Sequence, residues 1–109
     1  MPTALKTLGQ VVPSAASLTT LYTAPASTST VCSSIVVCNQ SATPTSFRIA
    51  VRPAGAAIDP KHYLYYDVPI AGNDTFVASI GISLATTDIV SVYATLATVS
   101  FGLFGQENT

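Results

Sequence analysis

Ionised side chains are scarce in this sequence. Only 8% of its 109 residues are Asp, Glu, Lys or Arg, against roughly 25% in an average soluble domain. The formal net charge is −1, so the chain lacks the cationic footprint that attracts a nucleic-acid backbone. We therefore expect no nucleic-acid partner.

Long apolar runs are also missing. No run approaches the roughly 18–20 residues that cross a bilayer, so we expect no membrane partner. Residues 1–17 carry one lysine and interrupted apolar positions, whereas a signal peptide has a continuous apolar region. These features predict a chain that is made in a cytoplasm.

Residues that carry chemistry are few, with one histidine, two cysteines and no tryptophan. On a single strand Cys32 and Cys38 would lie roughly 20 Å apart, beyond the ~7 Å that a disulfide tolerates, so both thiols should be reduced. The best catalytic alternative joins either thiol to His62 and an Asp, but an apolar strand raises a thiol pKa. We expect no enzyme activity, no cofactor and no metal site.

The residues that are present follow a period of two. Hydrophobic residues make up 49% of the chain, and they alternate with Ser and Thr in short runs bounded by turn residues. This pattern predicts a single-domain, all-β antiparallel sandwich of seven to eight strands, either jelly-roll-like or immunoglobulin-like. We expect residues 1–17 to form an N-terminal arm with the first strand and residues 18–109 the sandwich. The predicted strands are 5–12, 18–23, 31–38, 46–52, 63–68, 75–80, 88–96 and 99–103.

The predicted strand 31–38 is apolar on both faces. Strict alternation would place Val31, Ile35 and Val37 on one face and Cys32 and Val36 on the other. A strand of this kind is central in its sheet or covered by a partner. With so few charges to keep copies apart, the chain is expected to form a homo-oligomer, either a dimer or a trimer.

Residues 46–70 concentrate the unusual side chains, including three of the four basic residues. Arginine and tyrosine are both enriched at protein contacts, so one interpretation is an interface. The alternative is that the arginines pair within the chain with Asp59 or Asp67 while the tyrosines cover the core. A carbohydrate platform is a third possibility, although no tryptophan supports it. The candidate interface residues are Arg48, Arg52, His62, Tyr63, Tyr65 and Tyr66.

Four segments in a fixed order carry a resemblance to a known family: "LYTAPASTSTVCSSIVVCNQ", "FRIAVRPAG", "KHYLYYDVPIAGNDT" and "DIVSVYATLATVSFGLFGQE". They cover most of residues 20–107, and the chain resembles the small all-β virion structural proteins of tailed bacteriophages, including phages of cyanobacteria. The resemblance implies a virion component, assembled in symmetric copies and without catalytic residues. A capsid decoration or cement protein that contacts the major capsid protein is the first expectation. The alternative is a tail, collar, baseplate or fibre-associated module that can contact a host receptor.

Overall fold

A computed structural model describes residues 3–109, which form nine strands in two antiparallel sheets. The predicted all-β sandwich is confirmed. Its strands are β1 (Thr3–Val11), β2 (Thr19–Thr23), β3 (Ser29–Asn39), β4 (Thr45–Arg52), β5 (Tyr63–Ile70), β6 (Thr75–Ala78), β7 (Ile82–Leu84), β8 (Ile89–Ala94) and β9 (Val99–Asn108).

The strand order identifies a jelly roll. One sheet runs β1-β9-β3-β6, with β7 also paired to β3, and the other runs β2-β8-β4-β5. The first strand therefore pairs with the last, β2 with β8, β3 with β6 and β7, and β4 with β5. This nested pairing is that of one long antiparallel ribbon rolled into two facing sheets. Of the two sandwich types that the sequence left open, the topology favours the jelly roll.

The core lies between the two sheets and follows the predicted alternation. Phe47 and Ile49 on β4 are fully buried, and so is Leu103 on β9. The ring centroids of Phe47 and Phe101 lie 6.2 Å apart, edge to face, and this contact joins the two sheets. Each aromatic pair of this geometry adds about 0.5–1.5 kcal/mol beyond the burial of its area.

The ninth strand, β7, lies between the predicted strands 75–80 and 88–96, where the sequence predicts none. Both β6 and β7 pair with the same edge of β3, β7 opposite residues 30–32 and β6 opposite residues 35–38. They act as one strand interrupted at residues 79–81. Because β7 has only three residues, its alternation is too short to stand out from the polar residues that follow it.

A β-bulge in β3 corrects the predicted faces of that strand. The pairing of β3 with β9 shifts register between Cys32 and Ser34, which inserts one extra residue. As a result Val31 is 43% exposed while Ile35 is buried, so the two do not share a face as strict alternation predicts. Cys32 points inward, and both cysteines are free thiols, as expected.

Two aspartates beside turns, Asp74 and Asp88, bond backbone groups. The two carboxylate oxygens of Asp88 accept hydrogen bonds from the backbone N–H groups of Ala54 (2.8 Å) and Ala85 (2.9 Å). The carboxylate of Asp74 accepts from the N–H of Thr75 at 2.9 Å. Asp88 thereby ties two separate loops to the start of β8.

Candidate interaction surfaces

Arg48 is the centre of a cluster on the outer face of the four-stranded sheet. The register between β4 and β5 leaves two residues, Tyr66 and Asp67, opposite Arg48. Asp67 has a φ of 50°, a conformation that Asp tolerates better than most residues. This bulge brings an aromatic ring and a carboxylate to the same guanidinium group.

The contacts of Arg48 hold its side chain in place. Its Nε donates to Asp67 Oδ1 at 2.6 Å, and its guanidinium carbon lies 4.2 Å from the ring centroids of both Tyr66 and Tyr93. The hydrogen bond to Asp67 raises the pKa of Arg48 further above its already high value. The in-chain pairing considered for Arg48 is therefore present, and the side chain remains 22% exposed.

Arg52 lies on the same outer face but has different partners. Its Nε donates to the hydroxyl of Ser91 at 3.1 Å, and Nη1 donates to the carbonyl of Ala56 at 3.1 Å. Both acceptors are neutral, so neither compensates the positive charge. Arg52 anchors the loop after β4 and keeps a charge that a second molecule can meet.

Three of the four remaining candidate residues are tyrosines, and they divide between the two faces of β5. Tyr63 and Tyr66 lie on the outer face, with ring centroids 4.9 Å apart in an edge-to-face arrangement, and Tyr66 is 58% exposed. Tyr65 lies on the inner face, where its ring packs 5.4 Å from that of Phe76. The outer pair borders an open cavity of about 500 Å³ beside Ile58.

His62 is buried, with 7% of its surface exposed. Its Nδ1 accepts a hydrogen bond from the backbone N–H of Asp59 at 3.1 Å, which caps the short 3₁₀ turn Pro60–His62. Tyr65 and His62 are thus directed into the fold, and the outer face presents the other four candidates. The sequence analysis missed Tyr93, which comes from β8 and meets Arg48 through cross-strand pairing.

The catalytic alternative finds no support in the arrangement of its residues. Burial raises the pKa of the Cys32 thiol to about 11, which is opposite to what an activated nucleophile requires. The ring nitrogen of His62 that faces Asp59 is occupied by the capping bond. Across residues 3–109 no group of three or more His, Cys, Asp or Glu side chains could hold a metal ion.

The outer face of the five-stranded sheet has a different character, and we call it the neutral face. The pairing register defines its positions, and within the described chain none of them is Asp, Glu, Lys or Arg. Large apolar side chains are exposed there, including Leu5 (80%), Val77 (57%) and Val31 (43%). The neutral-face residues are Thr3, Leu5, Thr7, Gln10, Ser29, Val31, Ser34, Val36, Cys38, Thr75, Val77, Ser83, Ser100, Gly102, Phe104, Gln106 and Asn108.

Phe104 forms a ridge across the middle of the neutral face. A Cβ on Gly102 would lie 3.2 Å from the Phe104 ring, which shows that the ring lies over this glycine. An open hollow flanks the ring on each side. One, of about 460 Å³, is bordered by Val12 and Val36. The other, of about 390 Å³, is bordered by Leu5, Val31 and Lys6, whose ammonium group is paired with Glu107 at 3.0 Å.

Comparison of the sequence with family models and with curated proteins finds no match to either. Among solved structures, the fold is similar to a chain in the structure of infectious bursal disease virus, Gx strain, with a TM-score of 0.50 and 11% sequence identity. The similarity covers 97% of this chain and 31% of that one, so the chain spans about a third of the viral chain it resembles. No helix within residues 3–109 is long and apolar enough to cross a membrane.

Proposed function

We propose that this protein is a non-enzymatic structural component of a virion that works by packing in symmetric copies. The jelly roll supports the proposal because this architecture recurs in viral coats. The likeness to a chain in a virus structure supports it as well. So does the similarity of four sequence segments to virion proteins of tailed bacteriophages.

The observation that carries the proposal is the amount of exposed apolar surface beside so few charges. Eight large hydrophobic side chains among residues 3–109 are at least 38% exposed, including Leu5, Val77 and Tyr66. Only nine residues of the chain, four basic and five acidic, carry charge to keep separate molecules apart. Such a surface is unfavourable for a free monomer and suits a protein that is covered by neighbours in an assembly.

Within a virion we propose the role of a capsid decoration or cement protein. Each copy would bury apolar and polar surface where major capsid protein subunits meet. Symmetry would repeat this contact many times, so a modest binding free energy per copy would add up over the shell. The contact residues proposed for the shell are Arg48, Arg52, Tyr63 and Tyr66. The uncompensated charge of Arg52 suits an acidic group on the shell, and the two tyrosines add rigid contact area.

The alternative is a component of the tail, collar, baseplate or fibre. The number of copies per virion distinguishes this role from that of a decoration protein. Quantitative mass spectrometry of purified virions should find hundreds of copies per particle for a decoration protein and tens or fewer for a tail component. A chain that is absent from purified virions contradicts the whole proposal.

The contact surface has its own test. In the double variant Arg48→Ala with Arg52→Ala we expect particle occupancy to fall at least about tenfold. Arginine is enriched among the interface residues whose truncation costs about 2 kcal/mol or more, and ~1.4 kcal/mol corresponds to tenfold in affinity. Lys61→Ala is the matched control, since it also removes a positive charge but lies outside the cluster. Melting temperatures show whether each variant is folded. Unchanged occupancy of a folded double variant means that these arginines act only within the chain.

A further inference from the structure

We propose that the neutral face is the self-association surface of this protein, where a second copy packs face to face about a two-fold axis. This inference deepens the proposed function, since it names the surface and the partner for the expected homo-oligomer. It concerns the sheet opposite to the Arg48 cluster, so both surfaces can be occupied at once.

The absence of unpaired charge points to a second copy as the occupant, since Lys6 at the border of the face is already paired with Glu107. Burying an ionised group is costly unless a partner compensates it, and a partner surface rich in charges would find no counterpart on this face. A second copy brings an equally neutral surface. The Ser, Thr, Gln and Asn side chains of the two copies can hydrogen-bond to one another. None of these side chains carries a charge that burial would leave unpaired.

The size of the face is close to what a stable contact needs. Strand β9 has ten residues, which span roughly 33 Å, and four strands at ~4.8 Å spacing cover about 19 Å. The flat area is therefore about 600 Å², and the relief of the side chains adds to it. A standard interface buries about 800 Å² on each partner.

The shape of the face suits a two-fold contact. A two-fold interface uses the same patch on both molecules, so the patch must carry both a projection and a recess. Phe104 supplies the projection, and the hollow bordered by Val12, Val36 and Gly102 supplies the recess beside it. Rotation about an axis between them places the Phe104 ring of each copy in the hollow of the other.

Sedimentation equilibrium of the purified chain tests the inference. The wild type should have the mass of two chains at micromolar concentration. Phe104→Asp places a carboxylate at the centre of the contact, where an unpaired charge should weaken dimerisation by about 100-fold or more. Val77→Asp, at a 57% exposed position of the same face, should also give monomers and provides a second test if Phe104→Asp does not fold.

Leu64→Asp is the matched control, because Leu64 is a 45% exposed apolar residue on β5 in the other sheet. This variant should remain dimeric. A wild-type monomer at 100 µM or above overturns the inference, and so does a folded Phe104→Asp or Val77→Asp variant that stays dimeric. A wild-type trimer overturns the two-fold arrangement. None of these results removes the chain from purified virions, so they are distinguishable from a failure of the proposed function.

Discussion

Asn39, the last residue of β3, links three loops at one end of the sandwich. Its side chain is 1% exposed, and its Nδ2 donates to the carbonyls of Thr43 (2.9 Å) and Ala71 (3.2 Å). Its Oδ1 accepts from the backbone N–H of Ser41 (3.2 Å) and the hydroxyl of Thr98 (3.1 Å). All four hydrogen-bonding positions of a buried amide are therefore filled.

Asn39→Ala removes these four hydrogen bonds at once. Each contributes roughly 0.5–1.5 kcal/mol, and partners left without a bond in a buried site cost more. We expect the free energy of unfolding to fall by about 4 kcal/mol, a large part of the stability of a domain this size. Urea unfolding followed by circular dichroism measures the change as a lower midpoint at an unchanged m-value.

Asn39→Asp distinguishes hydrogen bonding from packing, because it keeps the shape of the side chain. It turns the donating amide into an oxygen that faces two carbonyl oxygens, so it should destabilise the fold at least as much as Asn39→Ala. Gln40→Ala, at the neighbouring exposed position, is the control and should stay within about 0.5 kcal/mol of the wild type. A loss below about 1 kcal/mol for Asn39→Ala would refute the role assigned to this amide.

Two further predictions concern carboxylates. Glu107 accepts from Tyr22 (2.5 Å) and Lys6 (3.0 Å), which lowers its pKa. Its stabilising contribution is therefore present above the unfolded pKa of about 4.3 and is lost as the pH falls through the lower folded value. In melts from pH 7 to pH 2, Glu107→Gln should lose stability at pH 7 and show a shallower acid dependence than the wild type. Asp88→Ala should cost about 1–3 kcal/mol in urea unfolding, since the backbone N–H groups of Ala54 and Ala85 in two loops lose their acceptor. Asp74→Ala, which removes one such bond, should cost less.

Much of the sandwich could be predicted because strand alternation is a local signal. Phe47 and Ile49 alternate with Arg48 and Ala50, and this pattern alone assigns the inner side chains of β4. The pairing of β1 with β9 joins residues such as Thr3 and Asn108, which lie at opposite ends of the chain. No local pattern encodes that pairing, so the jelly roll could be recognised only from the structure.

The details of the Arg48 cluster depend on bulges, and bulges leave little trace in a sequence. Tyr66 and Asp67 share one position opposite Arg48 because β5 carries an extra residue there. Without the bulge, adjacent side chains of β5 would alternate between the two faces, and either Tyr66 or Asp67 would point inward. The same limit applies at Ser33, where one extra residue exchanges the faces of β3. Sequence analysis therefore found the arginine and the tyrosine but not the geometry that joins them.

Composition predicted that part of the surface is covered, but it could not say which part. The few charges of residues 3–109 are unevenly placed: Arg48, Arg52 and Asp67 lie on the outer face of the four-stranded sheet, whereas no neutral-face position is charged. Lys6 and Glu107 of the five-stranded sheet pair with each other. This difference arises because strand pairing brings residues that are far apart in the sequence onto one face. The apolar outer residues come from four separate strands, and each of them looks like an isolated exception in its own segment.

This uneven placement leads to a prediction about salt. Added salt shortens the range of charge interactions, from about 10 Å at 0.1 M to about 3 Å at 1 M, and leaves apolar contacts largely intact. Attachment through Arg52 should therefore weaken as NaCl rises from 0.1 M to 1 M, whereas dimerisation through the neutral face should change by less than about threefold.

Sedimentation equilibrium and particle occupancy, measured across the same salt series, separate the two contacts. The Arg48→Ala, Arg52→Ala double variant is the control, since its residual attachment should respond less to salt than that of the wild type. Dimers that dissociate in 1 M NaCl would place charged groups in the self-association contact. That result would contradict the assignment of one contact to each sheet, because no neutral-face position holds a charged residue and Lys6, which borders one hollow, is already paired with Glu107.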